Sequence, residues 1–127
     1  MAASIGGKSS ADVYNDFHPS LTVLTTVVSA TYPDRVSVDA GTKALDTTVP
    51  HKPEAKNWPG LTYNRGGDEF GILTLETGGK LPKVGDRIDF VVPHCDPTTN
   101  LYDRIYAVRG EQVEAIWPIV ARRESAI

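Results

Sequence analysis

Ile88-Asp89-Phe90-Val91-Val92-Pro93-His94-Cys95-Asp96-Pro97-Thr98-Thr99-Asn100-Leu101-Tyr102-Asp103 is the stretch on which the reading of this chain turns. The largely apolar run from Ile88 to Val92 reads as a strand that carries the chain up to a proline. A histidine, the chain's single cysteine and an aspartate follow, and a second proline closes the group. Prolines on both sides predict a short, stiff, extended segment. In extended backbone the side-chain period is two, so His94 and Asp96 are expected on one side and Cys95 on the other. An imidazole and a carboxylate facing one way make two-thirds of a common divalent-metal site with open positions. The same pair also occurs as a hydrogen-bonded loop end, so the neighbouring sequence has to decide.

Upstream, Leu21 to Thr31 is dense in β-branched residues and predicts a long strand. Pro33-Asp34 turns it, and Arg35 to Asp39 should return as its antiparallel partner before Ala40-Gly41 breaks the pairing. Positions 47–67 hold three prolines and read mostly as loop. Phe70 to Glu76 alternates as a third strand, and Arg87 to Val92 is the fourth, entered through a Val84-Gly85-Asp86 turn. Downstream, Tyr102 to Arg109 and Gln112 to Arg122 predict a hairpin around Gly110-Glu111. Trp117-Pro118 marks its last strand as an edge or a bulge. Six or seven short strands with turn signals and almost no helix predict an all-β fold, a small, mostly antiparallel β-barrel. Residues 1–10 read as a flexible N-terminal segment and 11–127 as the domain itself.

Composition narrows the function. With 13 basic and 16 acidic residues and no basic run, neither nucleic acid nor an anionic membrane surface is expected as a partner. One cysteine excludes an internal disulfide and is compatible with a reducing cytoplasm, and no apolar run approaches membrane-spanning length. His18 and His51 stand next to prolines and read as surface residues, and Trp58 as a core-edge side chain. Asp39 and Lys43 admit two readings: a strand-end aspartate with a solvated lysine, or a pair facing another domain. Glu69 reads either as a polar neighbour of the metal or as an exposed loop acid.

The string His94-x-Asp96-Pro97-Thr98-x-Asn100-Leu101-x-Asp103, followed by Ile105-Tyr106-Ala107-Val108-Arg109-Gly110, resembles the C-terminal part of D-threonine aldolases. These belong to a pyridoxal-phosphate family that also contains the eukaryotic-type D-serine dehydratases. The resemblance runs through Leu21 to Ser29, Val38-Asp39-Ala40-Gly41-Thr42-Lys43, Gly60-Leu61-Thr62-Tyr63, Asp68-Glu69-x-Gly71, Val84-Gly85-Asp86 and Glu114-x-x-x-Trp117. It implies a barrel like the C-terminal domain of alanine racemase, with His94 and Asp96 as ligands of a divalent metal. Dehydratases of the family carry cysteine at the second ligand position. Asp96 follows the aldolase pattern, and its hard oxygen favours Mn²⁺ or Mg²⁺ over Zn²⁺; Mn²⁺ is the expected occupant, with Mg²⁺ or Zn²⁺ as other occupants. Phe70 departs from the family, which usually has histidine there. The resemblance further implies a β-hydroxy-D-amino acid as substrate, cleaved to glycine and an aldehyde. Pyridoxal phosphate would sit in a separate barrel domain, because no Schiff-base lysine stands out in this chain. A homodimer is compatible with this. Two alternatives stay open: a D-serine dehydratase relative, and a stand-alone, non-catalytic metal-binding or interaction barrel.

Overall fold

The computed structural model describes residues 17–48, 50–120 and 122. The expected N-terminal segment and the start of the domain at Ala11 lie outside these residues. Eight strands and one short helix follow in order: β1 (Thr22–Ser29), β2 (Arg35–Val38), β3 (Glu54–Ala55), β4 (Leu61–Arg65), β5 (Gly71–Leu75), β6 (Arg87–Val91), α1 (Cys95–Thr99), β7 (Arg104–Arg109) and β8 (Gln112–Pro118).

The first six strands make one sheet in the order β3-β6-β1-β2-β5-β4. Every pairing in it is antiparallel. Alternation assigns its inner face: Thr25 and Val27, Val36 and Val38, and Ile88 and Phe90 are buried, while Leu24, Arg87 and Asp89 face out. Among the described residues no second layer covers that face, so the sheet rolls on itself to bury it. Thr22 to Thr26 of β1 pair with β6, and from Val27 onward β1 pairs with β2 across a register shift. Such irregularities bend a strand and increase its local twist. The end strands β3 and β4 come to lie beside each other, which makes the sheet a nearly closed, mostly antiparallel barrel.

Phe90, Leu73, Ile88, Val27, Val38 and Leu45 fill the interior, and the Tyr63 ring meets Phe90 edge-on at 5.4 Å. Gly71 is required under that ring, because a Cβ there would stand 2.3 Å from Tyr63 Cε2 and 2.6 Å from the Ala40 carbonyl oxygen. The hairpin β7–β8 forms its own two-stranded sheet. Gly110 turns it with a φ of 61°, which suits a two-residue loop with glycine at its first position. Trp117-Pro118 does lie on an edge, since among the described residues β8 pairs with β7 alone.

Two local expectations change. The 47–67 stretch contains β3 and β4; its prolines bracket these strands rather than interrupt them. The segment after Pro93 is not extended throughout: only His94 is, with φ −147° and ψ 117°, and Cys95–Thr99 turn into a helix. Pro97 sits in the first turn of that helix, where backbone N–H groups have no intrahelical acceptor and none is lost.

Candidate metal centre

The site forms where α1 meets the turn that follows β2. Gly41 starts that turn, accepting the Ala44 and Leu45 N–H groups on its carbonyl. It also packs so close to 68–70 that a Cβ would stand 2.5 Å from the Asp68 carbonyl oxygen. The Tyr102 hydroxyl donates to the Ala44 carbonyl at 2.6 Å. Thr98, buried in α1, ties the turn to the helix: its hydroxyl accepts the Asp46 N–H at 3.1 Å and donates to the His94 carbonyl at 2.7 Å. Asp46 and Thr98 are 52 residues apart, so only the fold brings them together.

His94 occupies the N-cap of α1 but makes no capping bond with its side chain, which leaves the imidazole available for other partners. It stands between two carboxylates. Nδ1 lies 3.6 Å from Asp46 Oδ2, and Nε2 lies 3.8 Å from Asp96 Oδ2. His94 and Asp96 therefore do approach one another, through an extended N-cap followed by a helical turn rather than through a continuous extended segment. The two acids differ sharply, with the Asp46 side chain 5% exposed and that of Asp96 91% exposed. Asp46 Oδ1 accepts the Thr48 hydroxyl at 2.6 Å and the Thr48 N–H at 2.9 Å. Oδ2 is buried with no hydrogen-bond partner, since His94 Nδ1 stands just beyond hydrogen-bonding distance. The Thr48 hydroxyl and then its N–H hold the Asp46 carboxyl below the usual aspartate range, against the opposing pull of burial. The nearby imidazole adds a smaller effect in the same direction.

These residues fit a divalent cation. The 3.8 Å between Nε2 and Asp96 Oδ2 can be bridged by two bonds of about 2.1 Å. The half-exposed imidazole and exposed carboxylate leave the outer side open. Among the described residues no group of three or more His, Cys, Asp or Glu side chains converges on one point, so the protein contribution would be two donors. Cys95 is exposed and free.

The other sequence candidates lie elsewhere. Asp39 Oδ1 accepts the Thr25 hydroxyl and the Thr26 N–H, which is the strand-end reading. Lys43 pairs with Glu69 at the surface, and the Glu69 hydrogen bond and charge raise the lysine pKa. Both side chains are largely exposed. His18 and His51 are exposed, and Trp58 packs on the edge of the core as expected. Asp46 is the residue that sequence reading missed. Asp46-Thr47-Thr48 carries the signal of an aspartate bonding to the backbone two residues on, but that signal points only to a local turn.

Residues 20–108 match the family model of the putative serine dehydratase domain. Over 106 residues the chain is 46% identical to a D-threonine aldolase of Arthrobacter sp., covering 84% of this chain and 28% of that protein. It is 35% identical over 109 residues to a 3-hydroxy-D-aspartate aldolase of Paracoccus denitrificans, covering 84% of this chain and 27% of the relative. The crystal structure of D-threonine aldolase from Filomicrobium marinum superposes with a TM-score of 0.78 at 37% identity, over 85% of this chain and 30% of that one. The chain thus spans less than a third of the length of these relatives. With more than half of its residues under the family model, and with this barrel, the chain belongs to the putative serine dehydratase domain family and is built like the C-terminal region of D-threonine aldolase.

Proposed function

We propose that this chain acts as the metal-binding C-terminal domain of a D-threonine aldolase-like lyase that cleaves β-hydroxy-D-amino acids to glycine and an aldehyde. The observation that carries this reading is the approach of His94 Nε2 to Asp96 Oδ2 on an open face. A divalent cation there supplies Lewis-acid charge that lowers the pKa of a hydroxyl brought beside it. Asp96 contributes a hard oxygen, which favours Mn²⁺ or Mg²⁺ over Zn²⁺, and Mn²⁺ is the proposed occupant. His94 contributes a nitrogen donor held at the N-cap of α1. The exposure of both side chains leaves room for a substrate hydroxyl, and the Asp46 and Asp96 carboxylates together match the charge of the ion. The relatives support the substrate class, since both named aldolases take their names from β-hydroxy-D-amino acids.

Pyridoxal phosphate belongs, in this reading, to a barrel domain outside this chain, and no residue here cleaves the Cα–Cβ bond alone. Cytoplasmic location, suggested by the single cysteine, and a homodimer belong to the same proposal. The second reading is a D-serine dehydratase relative, which the name of the matched family favours and Asp96 opposes.

Calorimetric titration with MnCl₂ tests the site. The wild-type chain is expected to bind, His94→Ala to lose binding, and Cys95→Ser to keep it. Equal affinity in wild type and His94→Ala sinks the assignment. Asp96→Cys should shift preference from manganese toward zinc, because thiolate is the softer ligand. An unchanged preference removes Asp96 from the ligand set.

A further inference from the structure

We infer that Asp46 is the positioning residue of this centre: its buried carboxylate holds the His94 imidazole with Nδ1–H turned inward and Nε2 turned outward to Asp96. The assignment rests on the metal reading of His94 and Asp96 and adds a residue to it.

The first ground is direction. The imidazole lies between the two acids, with Nδ1 toward Asp46 and Nε2 toward Asp96. Asp46 therefore faces the ring edge opposite the open site, and acts on an ion there through the ring. The second ground is a vacant acceptor. Thr48 occupies Asp46 Oδ1 twice, whereas Oδ2 is buried without a donor beside Nδ1. A buried carboxylate oxygen left bare is unfavourable, and a movement of about half an ångström brings Nδ1–H into bonding range. The third ground is construction. One buried hydroxyl, that of Thr98, binds the Asp46 N–H and the His94 carbonyl together, so the two backbones are held in fixed relation.

A neutral imidazole carries one ring proton. Donation from Nε2 to a metal requires that proton on Nδ1. A carboxylate at Nδ1 selects this tautomer, fixes the ring plane and makes Nε2 the stronger donor.

The test combines Mn²⁺ binding, followed by the electron paramagnetic resonance of free Mn²⁺, with the His94 tautomer. The tautomer is read in the metal-free protein at mildly alkaline pH by long-range ¹H–¹⁵N correlation. The wild type should show Nδ1–H. Asp46→Asn retains the size of the side chain and an acceptor for Thr48; it should lose the Nδ1–H preference and bind Mn²⁺ about 10- to 100-fold more weakly. Thr48→Val removes a hydroxyl that holds Asp46 by its other oxygen and should weaken both readouts less than Asp46→Asn does. The inference is overturned by Nε2–H in the wild type, a result that needs no variant to fold. It is also overturned by an Asp46→Asn protein with wild-type tautomer or affinity. If the wild type takes up no Mn²⁺, the metal reading fails, and the metal-free tautomer still decides whether Asp46 orients His94.

Discussion

Single residues in this barrel are held by bonds that cross long stretches of sequence, and Tyr63 is one case. Its hydroxyl donates to the buried Ala40 carbonyl at 2.8 Å while its ring packs on Phe90 and over Gly71. Tyr63→Phe keeps the ring but removes a donor from a buried acceptor, and should destabilise the domain by about 1–3 kcal/mol in denaturant unfolding. Burial pushes the Tyr63 phenol up, and does the same at Tyr102. A folded pKa above the unfolded value means the stabilisation is complete below the unfolded pKa, near 10, and is lost as pH rises through the folded one. Ultraviolet titration should therefore show Tyr63 and Tyr102 ionising late, together with alkaline unfolding. In Tyr63→Phe one late phase should disappear. If both late phases survive that substitution, Tyr63 is not the source of either.

At the scale of elements, the decisive contact is α1 against the 41–48 turn. Five residues are too few for a helix to persist alone. Its stability comes from what Thr98 and Tyr102 reach across to bind. Thr98→Val retains the shape but leaves the Asp46 N–H without its acceptor in a buried place. The expected loss is about 1–3 kcal/mol of stability. Mn²⁺ affinity should fall with it, because the turn and the helix carry opposite sides of the site. A Thr98→Val protein that unfolds at the wild-type denaturant midpoint would show that other contacts hold the junction. The strands missed at 54–55 and 61–65 have separate causes. β4 holds Thr62 and Tyr63 between glycines and is a legible strand that the neighbouring prolines obscured. β3 is two residues long, and its pairing with the edge of β6 accounts for its extended form.

For the whole molecule, the barrel is nearly closed around its core while the hairpin stands as a separate two-stranded sheet. Tyr106 pairs with Ile116 and Val108 with Val113, and cross-strand partners share a face, so four apolar side chains stand together with more than half their surface exposed. An isolated two-stranded hairpin is marginal in water, and an apolar face of this kind suits contact with the separate barrel domain proposed above. Val108→Glu and Ile116→Glu should leave the stability of this chain within about 0.5 kcal/mol while reducing its binding of a hydrophobic dye. A large loss of stability would mean that the face packs on the chain's own barrel. For activity, the chain incubated with Mn²⁺ and D-threonine should release no glycine. A cation can acidify the hydroxyl, but the electrons of the Cα–Cβ bond then have no acceptor. Glycine appearing above the protein-free control would overturn this division of labour between domains.

The sequence by itself determined the strand-rich pattern, the placing of β1 and β6, the alternation of β5, the turn glycines at 85 and 110, and the hairpin. These are properties of periods and turn residues, which act over a few positions. Its His94-x-Asp96 spacing also marked the segment where an imidazole and a carboxylate meet. Only the tertiary structure decided that this segment coils into α1, because the Thr98 bonds to a distant turn outweigh the extended preference that proline imposes on the residue before it. Only the tertiary structure placed Asp46 behind His94, since the pairing of both β2 and β6 with β1 sets that neighbourhood and no local pattern encodes it.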